Sequence, residues 1–132
     1  MVRAATAADA RAIAHVHRSS RAEAYGPAYA ERPRRAEPSF VADHDGVVVG
    51  FATVEGERLE ALYVLPGAQG GGAGAALLAA AVEAGARSLW VYAGNDGARR
   101  FYERHGWVAE PETETTGEHW RPRRPGLRYR LP

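Results

Sequence analysis

Four glycines crowd into five positions at residues 70–74, GGGAG, three residues after the apolar run LEALYVLP and directly before an alanine-rich stretch. Glycine inside an element costs about 0.5–1 kcal/mol against alanine, so the cluster points to a backbone that has to be bare. A strand ending in a glycine-rich turn at a helix N-terminus is an anion site, because unpaired amides point outward and the helix dipole adds its positive end. Glycines let a pyrophosphate approach. One ligand class is a dinucleotide: Gly70, Gly72 and Ala75 fit G-x-G-x-x-A, and Asp96 follows about twenty residues later, where a ribose-binding acid would stand. Only about 55 residues follow Ala75, too few for the rest of a doubly wound nucleotide domain.

Composition removes several other chemistries. The chain has 132 residues, the size of one domain (1–132), and is long enough to bury a core. It has no cysteine, which excludes disulfides, thiolate metal sites and a covalent cysteine nucleophile, and no lysine, which excludes Schiff-base chemistry. No metal site is expected, since His15 and His17 lack a further ligand at metal spacing. The formal net charge of +1, from 17 basic against 16 acidic residues, argues against a nucleic-acid binder. The opening MVRAATAADARAIAHVH lacks the apolar core of a signal peptide, and no window approaches about 20 apolar residues, so neither membrane insertion nor export is expected and the cytoplasm is the default.

The elements that must carry the glycine turn follow from local signals. Residues 2–5 suit a short strand, and Thr6 with Asp9 resembles a capping box opening a helix through about Ala24. Three prolines make 25–38 a loop. Strands are expected at 39–43, 46–54 and 59–65, the first two joined at the hairpin signal Asp45-Gly46. A helix over 72–84, a strand over 88–93 and a helix over 96–105 stopped at Gly106 come next. WVAEP and LRYRL are candidate final strands around a polar loop. The sum is an α/β or α+β arrangement, with about six to seven strands in a mixed, mostly antiparallel sheet flanked by three to four helices.

A second ligand class, coenzyme A, enters through a family resemblance. Gln69-Gly70-Gly71-Gly72-Ala73-Gly74 fits Q/R-x-x-G-x-G/A, the pyrophosphate loop of the GNAT superfamily of acyl-CoA-dependent N-acetyltransferases, which the chain resembles. LEALYVLP is similar to that family's fourth strand through Leu62, Val64 and Pro66. LWVYAGNDGARRFYERHGW is similar to its fifth strand and following helix through Asn95, Ala98, Phe101, Tyr102, Glu103, Gly106 and Trp107. The match covers about 2–24 and 39–109. The family's second helix has no counterpart in the proline-rich 25–38, which implies an acceptor site that is open or completed by a second subunit.

The resemblance implies a GNAT-like fold with splayed fourth and fifth strands, and acetyl transfer from acetyl-CoA directly to a primary amine in a ternary complex. The pantetheine and thioester would meet the backbone of Leu62, Tyr63 and Val64, and the pyrophosphate would meet Gln69, Gly70, Gly71, Gly72, Ala73, Gly74 and Ala75. Asn95 would contact the cofactor or cap its helix. A backbone donor near Val64 would stabilise the thioester oxyanion. Tyr102, a phenol with an ordinary pKa near ~10, would protonate the leaving thiolate. Glu60 is the first candidate for the base that takes the amine proton, and Glu57 the second. His119 and Trp120 border the acceptor side, and Glu110, Glu112, Glu114 and Glu118 would draw a cationic amine unless Arg121, Arg123 and Arg124 cancel their field. A small-molecule amine is the favoured acceptor. The alternatives are a non-catalytic acyl-CoA-binding or regulatory module and the dinucleotide enzyme. A homodimer through the terminal strands stays open.

Overall fold

The turn at Asp45-Gly46 shows how local chemistry sets the strands. Both residues take positive φ, 51° and 84°, the requirement of a tight hairpin whose twist matches its strands, and Asp43 Oδ1 accepts from the Gly46 amide at 2.7 Å. This turn joins β2 (Phe40–His44) to β3 (Val47–Glu55), and a second turn at Gly56 joins β3 to β4 (Arg58–Val64). The computed structural model describes residues 1–25, 38–110 and 126–132. Among them the chain forms seven strands and three helices, in two compact units, Met1–Ala86 and Arg87–Pro132.

In the first unit β1 (Val2–Ala4), β2, β3 and β4 pair in that order, all antiparallel. Alternation along β3 sends neighbouring side chains to opposite faces. On one face Phe51 packs with Val41, Tyr63, Ile13 and Val16, the last two from α1 (Ala10–Tyr25). On the other, Gly50 lies against Leu77 of α2 (Ala73–Glu83). The four strands are thus covered on both faces, and Gly50 leaves room for Leu77 of α2. A Cβ there would stand 2.8 Å from the Tyr63 carbonyl oxygen, 3.1 Å from Leu77 Cδ1 and 3.2 Å from Val64 Cγ2.

The expected helix from Thr6 begins as a 3-10 turn, Ala7–Asp9, and becomes α1 at Ala10. Asp9 accepts from the Thr6 amide at 2.8 Å and from both Arg3 terminal nitrogens at 2.9 Å, tying β1 to the start of α1. The Arg3 guanidinium, and then the Thr6 amide, hold the Asp9 carboxyl well below the usual carboxylate range.

The second unit holds β5 (Ser88–Tyr92), α3 (Asp96–Arg104), β6 (Val108–Ala109) and β7 (Gly126–Arg130). Here β7 pairs antiparallel with both β5 and β6. The WVAEP strand is shorter than expected, because Trp107 is occupied in ending α3: its amide bonds the Tyr102 carbonyl at 3.0 Å while Gly106, at φ 90°, bonds Glu103. That stop folds Trp107 back onto the helix. The segments 26–37 and 111–125 lie outside the described residues.

Gly50→Ala is expected to destabilise the protein by about 1–3 kcal/mol in urea unfolding, as overpacking does, while Gly67→Ala, whose Cβ would meet nothing within 4 Å, leaves stability unchanged. Asp9→Asn is expected to lower Tm at pH 7. Because the Asp9 carboxyl is depressed on folding, its contribution is present above the unfolded value near ~3.9 and is lost as pH falls, so thermal melts of parent and variant should converge in acid.

Candidate functional site

The site is built outward from the end of β4. Val64 stands opposite Gly50, and Leu65 donates its amide to the Val49 carbonyl at 2.8 Å. In an antiparallel ladder hydrogen-bonded pairs alternate with non-hydrogen-bonded ones, so Tyr63 exchanges its bonds with Phe51. Leu62 and Val64 therefore turn their N–H and C=O groups to the other edge of β4. Of the three residues expected to offer backbone groups, Leu62 and Val64 present them away from β3 and Tyr63 does not. The Tyr63 side chain serves the α1 face instead: its hydroxyl accepts from Arg21 at 2.8 Å, and the His17 ring meets it edge-on at 5.4 Å. Both Arg21 and His17 are buried, so His17 is a packing residue, while His15 is exposed.

Two side chains meet at the Val64 carbonyl oxygen. Ser20 of α1 donates its hydroxyl at 3.0 Å, and Gln69 its amide nitrogen at 3.1 Å. Gln69 was expected on the pyrophosphate; its side chain turns back to the strand end.

The chain then makes a 3-10 turn, Pro66–Ala68, and enters the glycine loop. Gly70 and Gly72 have φ of 87° and 90°, a conformation that L side chains resist, and a Cβ at either would meet nothing within 4 Å. Gly72 is the N-cap of α2, its carbonyl accepting the first helical bond from Ala76 at 3.0 Å. The amides of Ala73, Gly74 and Ala75 precede that bond and have no acceptor within the helix. Gly70, Gly71 and Gly72 are exposed. Bare backbone, first-turn amides and the dipole are the features through which a helix N-terminus can hold an anion.

Glu60 is a β-bulge residue. Thr53 pairs with Ala61 and Val54 with Leu59, which leaves Glu60 unpaired between them. Its carboxylate is held by Arg58 at 2.6 Å, and Arg58 also reaches Glu55 at 3.6 Å. Glu57, the second candidate base, is exposed in the turn before β4. The bulge is why alternation along the sequence could not assign Glu60 a face.

In the second unit Asn95 Oδ1 accepts from the Ala98 amide at 3.1 Å, a helix N-cap. Tyr102 is buried among Phe101, Trp107 and Tyr129, with ring centroids at 5.2, 6.2 and 6.4 Å. Sequence reading missed Tyr129. Its hydroxyl donates to Glu103 at 2.5 Å and accepts from Arg99 Nε at 3.1 Å, while Arg99 also donates to the Ala93 carbonyl at 3.1 Å. Burial, and then the Glu103 carboxylate, push the Tyr129 phenol up. The i, i+4 spacing of Arg99 and Glu103 signals a shared helix face, but nothing local names their partner. Glu110 is taken up by Arg130 at 2.8 Å, with Arg128 at 3.9 Å, so it offers no free field to a cationic amine. His105 caps the C-terminal end of α3, its Nδ1 2.8 Å from the Phe101 carbonyl. His119, Trp120, Glu112, Glu114, Glu118, Arg121, Arg123 and Arg124 lie outside the described residues.

The dinucleotide reading fails on what precedes the loop: an antiparallel meander of four strands stands where a doubly wound nucleotide domain would begin, and Asp96 is the first residue of α3. The chain belongs to the GNAT acetyltransferase family: the model of the acetyltransferase (GNAT) domain matches residues 35–109. It is 42% identical over 90 residues to an uncharacterized N-acetyltransferase of Mycobacterium tuberculosis, across 60% of this chain and 56% of that protein. The match thus spans about half the length of that curated relative. The fold is similar to the solution structure of apo YjaB from Escherichia coli, with a TM-score of 0.75, 19% identity, and coverage of 99% and 96% of the two chains. It is also similar to PaiA N-acetyltransferase from Thermoplasma acidophilum, solved in complex with coenzyme A, with a TM-score of 0.74, 19% identity, and coverage of 100% and 98%. The fold class is therefore GNAT-like, as the motifs implied. Among the described residues no group of three or more histidines and carboxylates could hold a metal, and no helix is long and apolar enough to cross a membrane.

Asn95 gives the site its own test. Asn95→Ala is expected to cost about 1 kcal/mol of stability, as lost N-caps do, and Asn95→Asp to retain it. Urea unfolding measures both, and acetyl-CoA affinity measured beside it separates a cap from a ligand contact.

Proposed function

We propose that the chain is an N-acetyltransferase that moves acetyl from acetyl-CoA directly to a primary amine of a small molecule, in a ternary complex. The observation that carries this reading is the junction of β4 and the glycine loop. An outward-turned Val64 N–H stands six residues before an exposed loop of bare backbone amides, in a chain of this family. The residues fit the co-substrate. The loop from Gly70 to Ala75 would hold the pyrophosphate through its amides. Leu62 and Val64 would offer backbone groups to the pantetheine and the thioester. Acetyl-CoA supplies the activated acyl group and a thiolate leaving group.

The chain's own groups then handle charge and protons. The Val64 N–H would meet the thioester oxygen as negative charge develops on it during amine attack. The amine nitrogen forms the new bond to the carbonyl carbon and gives up a proton, which Glu60 would accept through water. The bond from that carbon to sulfur breaks, and Tyr102 would return a proton to the thiolate. Arg58 holds one Glu60 oxygen, which favours a water-mediated over a direct transfer. The same ion pair favours the second reading, a non-catalytic acyl-CoA-binding module.

Thiol release from acetyl-CoA across a panel of primary amines separates the two. Turnover with at least one amine is the expected result. Tyr102→Phe is expected to lower kcat at least about tenfold, and up to the 10²–10⁴ span of general acid catalysis, with little change in the acetyl-CoA KM. A loss below about threefold would remove Tyr102 from the acid role.

A further inference from the structure

Ser20 is a buried serine in the C-terminal half of α1, 44 residues from the carbonyl that it binds. A helical serine commonly bonds the carbonyl four residues back in its own helix. Ser20 instead donates to Val64. The ladder denies the Val64 carbonyl a partner on β3 and turns it to the same strand edge as the Val64 N–H. Left bare, that oxygen would place the negative end of a peptide dipole beside the donor meant for a developing oxyanion. Ser20 and Gln69, at 3.0 and 3.1 Å, supply one donor for each of its two lone pairs.

We propose that Ser20 and Gln69 are positioning residues for acetyl transfer: they fix the strand-end peptide and withdraw negative potential from the edge where the Val64 N–H meets the thioester oxygen. The inference rests on the acetyltransferase reading. It differs from a packing role in what it perturbs. Removing the Ser20 hydroxyl should change how strongly the bound carbonyl is polarised more than how tightly the co-substrate binds. Gln69 does the same from the loop side, coupling the conformation of the glycine loop to the polarity of the strand end.

The test is ¹³C NMR of acetyl-CoA labelled at the acetyl carbonyl, bound to the whole chain, with affinity and Tm measured on the same samples. In the parent protein the carbonyl resonance is expected to move downfield on binding. Ser20→Ala is expected to lose at least half of that shift while Kd stays within about threefold, and Ser20→Thr, which keeps the hydroxyl, to restore it. With an accepted amine, Ser20→Ala should lower kcat about tenfold at a nearly unchanged acetyl-CoA KM, less than the 10²–10³ lost with an oxyanion donor itself. Three results would overturn the proposal: an unchanged carbonyl shift in Ser20→Ala, no shift in the parent protein despite binding, or joint loss of affinity and Tm that Ser20→Thr does not restore. Absence of acetyl-CoA binding by the parent protein would instead remove the acetyltransferase reading on which the proposal stands.

Discussion

The first unit depends on the satisfaction of one carbonyl group. The Val64 oxygen lies at a ladder position with no partner on β3, and leaving such a group unmade away from water costs about 1–3 kcal/mol. Ser20 reaches it from α1 and Gln69 from the turn before the glycine loop. The side chain of the same residue lies beside Gly50, where Leu77 of α2 also arrives. One residue thus joins the helix on one face, the helix on the other, the strand that ends there and the loop that begins there. The loop's geometry is consequently tied to the strand edge rather than free to vary with solvent.

The second unit follows the same rule with different groups. The Tyr129 hydroxyl is buried on β7 and is satisfied by Glu103 and Arg99 of α3, which locks helix to strand. Tyr102 lies between those two residues in sequence and packs against the Tyr129 ring, so the network that fixes the helix also fixes the phenol assigned to proton transfer. The turn at Gly106 adds Trp107 as a further wall. In both units a polar bond spanning many residues holds a group whose orientation the proposed chemistry needs.

Local features were legible in the sequence. The Asp45-Gly46 hairpin, the bare loop at Gly70 and Gly72, the Asn95 cap and the Gly106 stop are each written within a few residues, because each is a demand on φ or on one nearby hydrogen bond. Features that depend on distant partners were not legible. Nothing near Glu60 announces a bulge, since a bulge is a property of two strands in register. Ser20 reads as an ordinary helical serine until Val64 is placed beside it, and Tyr129 reads as a strand aromatic until α3 packs on it. The family resemblance assigned the Tyr63 backbone to the ligand, and its pairing with Phe51 becomes visible only once β3 is placed beside β4.

The central claim is that the loop after β4 is a coenzyme A site. Titration calorimetry of the purified chain with acetyl-CoA, run beside CoA and NAD, tests it most directly. The account predicts micromolar binding of acetyl-CoA and of CoA, with no heat from NAD. Heat from NAD with silence from acetyl-CoA, or silence from all three, would contradict it and would leave the glycine loop as a feature of the fold without its ligand.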